Sequence, residues 1–312
     1  MKKEKLILAV VSLCLVIVSL VGMSVAIGAV RNEPMVEQVT KESVREKRDA
    51  ITNKPFQVFI SGLDTYGEKE QSKRSELNLL VTVNPSEKKL LITGIPRDIY
   101  VSLPASLSKE EKQYTKFSLL SLYGIKNLIQ GAEELLDTKI DYYIQIDMSG
   151  FKKLVDAIGG VDVKANQSFK TDWKTSFQKG INHVNGKEAL TFVRERHHFP
   201  QGTKQRCENH EEMLKAIMKQ VIKKSLPEMD INALYKLCKK NVRTDMKAGE
   251  ILSLMRWQKE EKVEWKMETA TLTGEFAREK LAEYPDVKLY VEKPDPKSLD
   301  EVNKKIKKIL NF

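Results

Sequence analysis

Cysteine is scarce in this chain, three among 312 residues, which excludes a small scaffold held together by disulfides. Internal repeats and low-complexity tracts are absent, so a single globular domain is the simplest organisation. Helix-turn-helix, zinc-finger and RNA-binding signatures are absent too, and the net charge of +10 therefore does not by itself point to nucleic acid. The apolar fraction of 41% is ordinary for a chain with a core and excludes a disordered tail protein. At about 100–200 residues per domain, the length allows one large domain or two modest ones.

Long uncharged runs are equally rare, and the one present is informative. Leu6 to Val30 carries no charged residue; as a helix it would measure about 37 Å, against a hydrocarbon core of about 30 Å. Lys2, Lys3 and Lys5 precede it with a single acid, Glu4, which orients the N-terminus toward the cytoplasm. The expected order is a cytoplasmic tail (1–5), a transmembrane helix (6–30), a charge-dense stalk (31–54) and an extracytoplasmic domain (55–312). Ala26-Ile27-Gly28-Ala29 is small enough to be cut, yet the run exceeds the usual apolar region of a cleaved signal, which favours an uncleaved signal-anchor. Cys14 follows Leu13, too bulky for a lipoprotein cleavage site. The leading segment holds about two of the ten positive charges; the rest face the cell-wall side, where DNA is not the usual partner.

Past Pro55 the pattern changes. Phe56–Ile60, Leu79–Val83, Leu90–Thr93 and Tyr142–Ile146 are short β-rich runs bounded by Gly, Pro, Asn or Asp, and Asn84-Pro85-Ser86-Glu87 reads as a hairpin turn. Helical patterns fall near Lys126–Leu136, Gly150–Ile158 and Gln205–Lys224, the last with Met213, Leu214, Ile217, Met218, Val221 and Ile222 on one face. Strands mixed with helices predict an α/β fold, a mixed sheet covered on both sides. Beyond Ala248 the pattern predicts helices and one strand, Val287–Val291, with Ser298 and Glu301 as the capping box of a final helix.

Four clusters sit at predicted element ends: Ser61-Gly62-Leu63-Asp64-Thr65-Tyr66-Gly67, Arg74-Ser75-Glu76, Ile95-Pro96-Arg97-Asp98, and Val193-Arg194-Glu195-Arg196 followed by Gly202, Thr203, Arg206, Asn209 and His210. Asp64 and Glu76 are candidate oxygen ligands for Mg²⁺. Arg74, Arg97, Arg194, Arg196 and Arg206 offer forked donors suited to phosphate oxygens. Arg206 and His210, four residues apart, share one helix face near its N-terminus, where the dipole favours an anion. A divalent cation with an arginine clamp suits phosphoryl transfer. Each feature alone also has an ordinary explanation. Asp64 fits a turn, Arg74 and Glu76 an edge pair, Arg97 and Asp98 a local ion pair. Arg194 and Arg196 fit one face of an exposed strand, and Thr203 a helix cap.

Order and spacing carry more. The sequence resembles the LytR-CpsA-Psr family of cell-wall glycopolymer ligases across about Phe56 to Thr244. Besides the four clusters, the resemblance rests on Lys116-Phe117-Ser118, Ile140-Asp141-Tyr142-Tyr143, Gly150-Phe151, Gly159-Gly160-Val161-Asp162-Val163, Gly180, Asn185-Gly186 and Ala189-Leu190. It implies an α/β/α sandwich with an apolar tunnel for a polyprenyl chain. The implied activity moves an anionic glycopolymer phosphate, such as teichoic acid or capsule, from an undecaprenyl-pyrophosphate carrier to a peptidoglycan hydroxyl, usually the N-acetylmuramic acid 6-hydroxyl. By position, Asp64 and Glu76 become the Mg²⁺ (or Mn²⁺) carboxylates. Arg74, Arg97, Arg194, Arg196, Arg206 and His210 become the pyrophosphate site, with Arg97, Asp98 and Arg206 catalytic. Asp98 would orient Arg97 or help activate the acceptor hydroxyl.

The chain departs from the family pattern at three positions. Glu76 stands where Asp is preferred, and Thr203 where the pattern has Asp beside the clamp. His210 stands for a common Gln, which brings a pH-dependent charge. The Thr203 change keeps a second expectation open, a weakened or non-catalytic binder of lipid pyrophosphate. A pyrophosphatase or phosphodiesterase is a variant of the first reading; the outward topology argues against a transcriptional attenuator. Cys207 lies beside the clamp, where a disulfide with Cys238 is an open alternative.

Overall fold

The computed structural model describes residues 51–65, 73–104, 106–107, 112–199, 202–223, 241–247, 250, 253–254, 257 and 265–311. The expected tail and membrane helix, the stalk up to residue 50, Tyr66-Gly67 and Cys238 lie outside them. Among the described residues no helix is long and apolar enough to cross a membrane. Ile51, within the expected stalk, is already buried in the core.

In chain order the strands are β1 (Phe56–Leu63), β2 (Ser75–Asn84), β3 (Lys89–Gly94), β4 (Tyr100–Ser102), β5 (Tyr114–Lys116), β6 (Tyr142–Asp147) and β7 (Val161–Ala165). They continue with β8 (Phe169–Lys170), β9 (Ser176–Phe177), β10 (Gly180–Val184), β11 (Val242–Thr244), β12 (Lys266–Thr271), β13 (Gly274–Leu281) and β14 (Tyr284–Pro294). A 3-10 helix (Phe117–Tyr123) precedes α1 (Ile125–Leu136); then come α2 (Met148–Ala157), α3 (Gly186–Arg194), α4 (Gly202–Lys223) and α5 (Pro296–Leu310).

Six strands form the central sheet in the order β11-β6-β1-β2-β3-β12. The β1–β2, β2–β3 and β6–β11 pairs are antiparallel, while β1–β6 and β3–β12 are parallel. Strands β1, β3, β6 and β12 therefore run one way and end along one edge. Side-chain alternation sends Val58, Ile60, Leu79, Val81, Leu90 and Ile92 into one core with α2, α3 and α4. It sends Phe59, Leu80 and Leu91 into a second core with α1 and α5. Both faces are covered, which is why these strands read as nearly continuous apolar runs. The polar exceptions are satisfied: buried Gln57 donates to Thr82 Oγ1 at 3.0 Å and accepts from Thr138 at 2.7 Å. The α/β/α layering expected from the sequence is present, and residues 85–88 turn between β2 and β3.

Three local expectations are corrected. Val193 and Arg194 are not on a strand; they end α3, and the chain turns extended only at Glu195. The cause is upstream: Asn185 and Glu188 form a complete capping box, and Ala189, Leu190, Phe192 and Val193 bury one face of the helix. The final helix starts at Pro296 under an Asp295 cap, while the Ser298 hydroxyl accepts from Thr273 N at 3.0 Å. Instead of one strand, the C-terminal region supplies edge strand β12 and the β13–β14 hairpin. The hairpin packs only one face, through Leu281 and Val291, so its charged outer positions masked the strand pattern of β13.

Candidate functional site

The common edge where β1, β3 and β6 end carries the four sequence clusters, as expected for a ligand site beyond the carboxyl ends of like-directed strands. Ser61 and Ser75 meet through their hydroxyls at 2.8 Å, and Asp64 N donates to the Arg74 carbonyl at 3.0 Å. These contacts join the end of β1 to the start of β2 and bring Asp64 and Glu76 to the same side. Opposite them, Gly202 opens α4 against the Arg196 carbonyl; a Cβ there would sit 2.4 Å from that oxygen, so only glycine permits the approach. Between these elements is a cavity of about 280 Å³. Asp64, Glu76, Arg97, Arg194, Arg196, Arg206 and His210 line it together with apolar Leu77, Ile146, Met148, Phe151, Leu190 and Val193.

Two of the residues assigned from sequence do not line this cavity. Arg74 is half-buried beside it, and its backbone is what positions Asp64. Asp98 is buried behind Arg97, 3.6 Å from its Nε, and accepts from Lys116 Nζ at 2.9 Å. Asp98 is thus built to hold Arg97. Arg97 Nη1 in turn donates to Glu76.

Arg206 differs from the other arginines. Its side chain is 5% exposed, and its nearest carboxylate contact is Glu76 at 3.8 Å from Nη1. Nε and Nη2 are buried with no hydrogen-bond partner. Burial, with nearby Arg97, pushes its pKa below the ordinary arginine value. A guanidinium does not give up its proton in a protein, so two unmet donors at the wall of a cavity call for an anion.

His210 does not bring the pH-dependent charge its sequence position suggested. Burial, then the adjacent Arg206, pushes its pKa down to about 3, and its Nε2 donates to the Val193 carbonyl at 2.8 Å. It lines the cavity as a neutral ring that ties α4 to α3. Cys207 is a free, buried thiol whose pKa burial pushes up to about 12.

Asp64 stands 4.0 Å from Arg194 Nη2, and both carboxylates face the cavity. Among the described residues no group of three or more His, Cys, Asp or Glu converges as a metal cage. Two carboxylates alone suit a hard cation that keeps several waters and takes further oxygens from a phosphate.

Sequence reasoning gave no role to four contributors. Trp173 lies 5.1 Å under the Arg194 guanidinium and is half exposed at the cavity wall; a lone Trp in the polar stretch Thr171–Lys174 was the available signal. Asp172 pairs with His197 Nδ1 at 2.9 Å, and His197 Nε2 accepts from Arg196 Nε at 3.2 Å. Glu195, between the two arginines, is buried and accepts from the backbone N–H groups of Arg196, His197 and His198 at 2.8, 2.7 and 3.2 Å.

Comparison with known proteins bears on the fold and the family. The crystal structure of Bacillus subtilis TagV superposes with a TM-score of 0.66 at 27% identity, covering 83% of this chain and 98% of that one. Biofilm regulatory protein A of Streptococcus mutans is 33% identical over 189 residues, 56% of this chain and 46% of its own length. The Bacillus cereus polyisoprenyl-teichoic acid–peptidoglycan teichoic acid transferase TagU is 30% identical over 207 residues, 65% of this chain and 64% of its own length. The matches thus span about half to two thirds of these two relatives. The LytR_cpsA_psr family model matches residues 22–308, and the chain belongs to that family.

Proposed function

We propose that this chain is a membrane-anchored phosphotransferase of the cell-wall side. It would transfer an anionic glycopolymer phosphate from an undecaprenyl-pyrophosphate carrier to a peptidoglycan hydroxyl, the N-acetylmuramic acid 6-hydroxyl being the expected acceptor. Arg206 carries the reading. A buried guanidinium with two unmet donors is costly to retain unless an anion completes it, and the transferase name of TagU supplies the anion's chemistry.

The residues divide the work. Arg206, Arg97, Arg194 and Arg196 bind the pyrophosphate oxygens and stabilise charge on the leaving phosphate. Leu77, Ile146, Met148, Phe151, Leu190 and Val193 receive the first isoprene units, which excludes water from the reacting phosphorus. Asp98 and Lys116 fix Arg97 in place. The acceptor hydroxyl oxygen forms a new bond to the phosphorus that bears the polymer, the bond from that phosphorus to the bridging oxygen breaks, and the hydroxyl proton leaves with the released undecaprenyl phosphate. Asp64 and Glu76 would hold Mg²⁺, or Mn²⁺ in its place, which when bound offsets phosphate charge.

The test is transfer of a lipid-linked polymer to peptidoglycan by the full chain in nanodiscs. Arg97→Ala and Arg206→Ala are each expected to lose at least about 100-fold in rate, the order seen when a charge-stabilising donor is removed, with the fold intact by circular dichroism. Wild-type rates in both would overturn the mechanism. A second reading, a lipid-pyrophosphate binder with little transfer, is favoured by Thr203, a hydroxyl in the first turn of α4 where the family pattern prefers a carboxylate. Thr203→Asp separates the two: a rise in transfer rate supports a weakened enzyme, and no change or a loss removes Thr203 as the deficit.

A further inference from the structure

The β13–β14 hairpin exposes large apolar groups beside this site, where a folded surface would ordinarily not place them. Phe276 is 69% exposed and Tyr290 37% exposed; their rings lie 5.5 Å apart at 49°. The register pairs Phe276 with Glu292 and Arg278 with Tyr290. Alternation then puts Phe276, Arg278, Lys288 and Tyr290 on the outward face, opposite the buried Leu281 and Val291.

One end of this strip is fixed to the arginine site. Tyr290 donates its hydroxyl to Glu292. Glu292 N donates to the Asp98 carbonyl at 2.9 Å. Lys116, which pairs with Asp98, lies 5.4 Å over the Tyr290 ring. From the Arg97–Asp98 corner outward, the face therefore runs from Phe276 opposite the buried Glu292, to Tyr290 opposite Arg278, to Lys288.

We infer that this outward face binds a glycan strand bearing carboxylates, with pyranose faces on Phe276 and Tyr290 and carboxylates on Arg278 and Lys288. Aromatic rings match the apolar face of a sugar and contribute most where a charged donor adjoins them. Charge complementarity selects an acidic strand over a neutral one. A lipid surface fits less well, because the hairpin lies flat: Ala282 N donates to the Tyr114 carbonyl at 2.9 Å, and Glu283 accepts from Thr115 and Tyr123 hydroxyls at 2.7 and 2.9 Å. Its turn is thereby held against the domain. Identifying the strand as the transfer acceptor rests on the function proposed above; binding itself does not.

The experiment titrates the full chain in nanodiscs with muramidase-solubilised, uncrosslinked peptidoglycan strands, chitotetraose, lipid-free poly(glycerol phosphate) and geranylgeranyl pyrophosphate. Phosphatidylglycerol vesicles are run in a parallel pull-down with detergent-solubilised chain. Phe276→Ala is expected to weaken peptidoglycan-strand binding about tenfold, equivalent to about 1.4 kcal/mol. Arg278→Gln is expected to abolish the preference for that strand over chitotetraose, and both variants should bind geranylgeranyl pyrophosphate like wild type. Undetectable strand binding by wild type, or equal strand affinity in wild type and both variants, overturns the inference. So does selective loss of vesicle or poly(glycerol phosphate) binding. If Arg206→Ala keeps geranylgeranyl pyrophosphate binding, the transfer mechanism fails while the Phe276 result still decides this inference.

Discussion

Among the ionisable side chains that helix α4 buries, Arg206 and Glu211, five residues apart, are treated in opposite ways. Glu211 is supplied with a partner: its carboxylate accepts from the Thr271 hydroxyl on β12 at 2.6 Å. Burial still pushes its pKa up to about 7, yet no polar atom of Glu211 is left buried and unpartnered. Arg206 faces the other way and has two donors with no partner. A satisfied buried charge ties two layers together. An unsatisfied one of fixed sign marks where a ligand of opposite charge completes the structure.

The largest effect expected from this contrast is at Arg206. Replacing it with Met removes a desolvated charge while keeping bulk, so Arg206→Met should lose transfer yet unfold at a higher temperature, by about 1–2 kcal/mol of stability. Thermal denaturation checks this, with geranylgeranyl pyrophosphate raising the midpoint of wild type and not of the variant. A lower midpoint in the ligand-free variant would mean that Arg206 is structurally satisfied and would break the contrast.

Next in size is a pH effect on stability. The folded pKa of Glu211, about 7, lies above its ordinary 4.5, so the unfolded chain releases this proton first and stability falls as pH rises from about 4.5 to 7. His210 has the opposite sign. With about 3 folded against 6.5 ordinarily, it costs stability at low pH, and that cost is relieved as pH rises from about 3 to 6.5. In denaturant titrations across pH 4–8, Glu211→Gln should flatten the decline on the alkaline side with transfer unchanged. His210→Gln should flatten the rise on the acid side. Unaltered profiles would show that neither group titrates as its burial dictates.

The smallest effect belongs to Trp173. Losing the ring under the half-exposed Arg194 should cost about 0.5–1 kcal/mol, a two- to fivefold weaker binding of geranylgeranyl pyrophosphate by Trp173→Ala. A larger loss would place Trp173 against the lipid itself.

Much of the fold was legible because the sheet is buried on both faces. Leu79–Val83 and Leu90–Thr93 announced themselves as apolar runs around an Asn-Pro turn, and the α/β class followed. Of the β13–β14 hairpin only β14 was legible, as the run Val287–Val291; β13 hides only alternate residues on one face, and its exposed positions are charged apart from Phe276. At the site, the residue types were visible, but which arginine is unpaired depends on burial. Arg206 and Arg74 look alike in sequence, yet one is enclosed with open donors and the other stands beside the cavity. The strand alternation read into Arg194–Arg196 failed for a similar reason: the helix started by the capping box at Asn185 and Glu188 runs on through Arg194, and the chain turns extended only at Glu195.

Glu195 has one further consequence. Set between Arg194 and Arg196, it looks like their counter-ion, but three successive backbone amides absorb one of its oxygens. That oxygen is met by peptide dipoles and not by the guanidinium groups of Arg194 or Arg196, whose contacts run instead to Asp64, Trp173 and His197. The positive charge lining the cavity then acts beyond contact distance, so the association rate of an anionic phosphate ligand should fall steeply with ionic strength while its dissociation rate changes little.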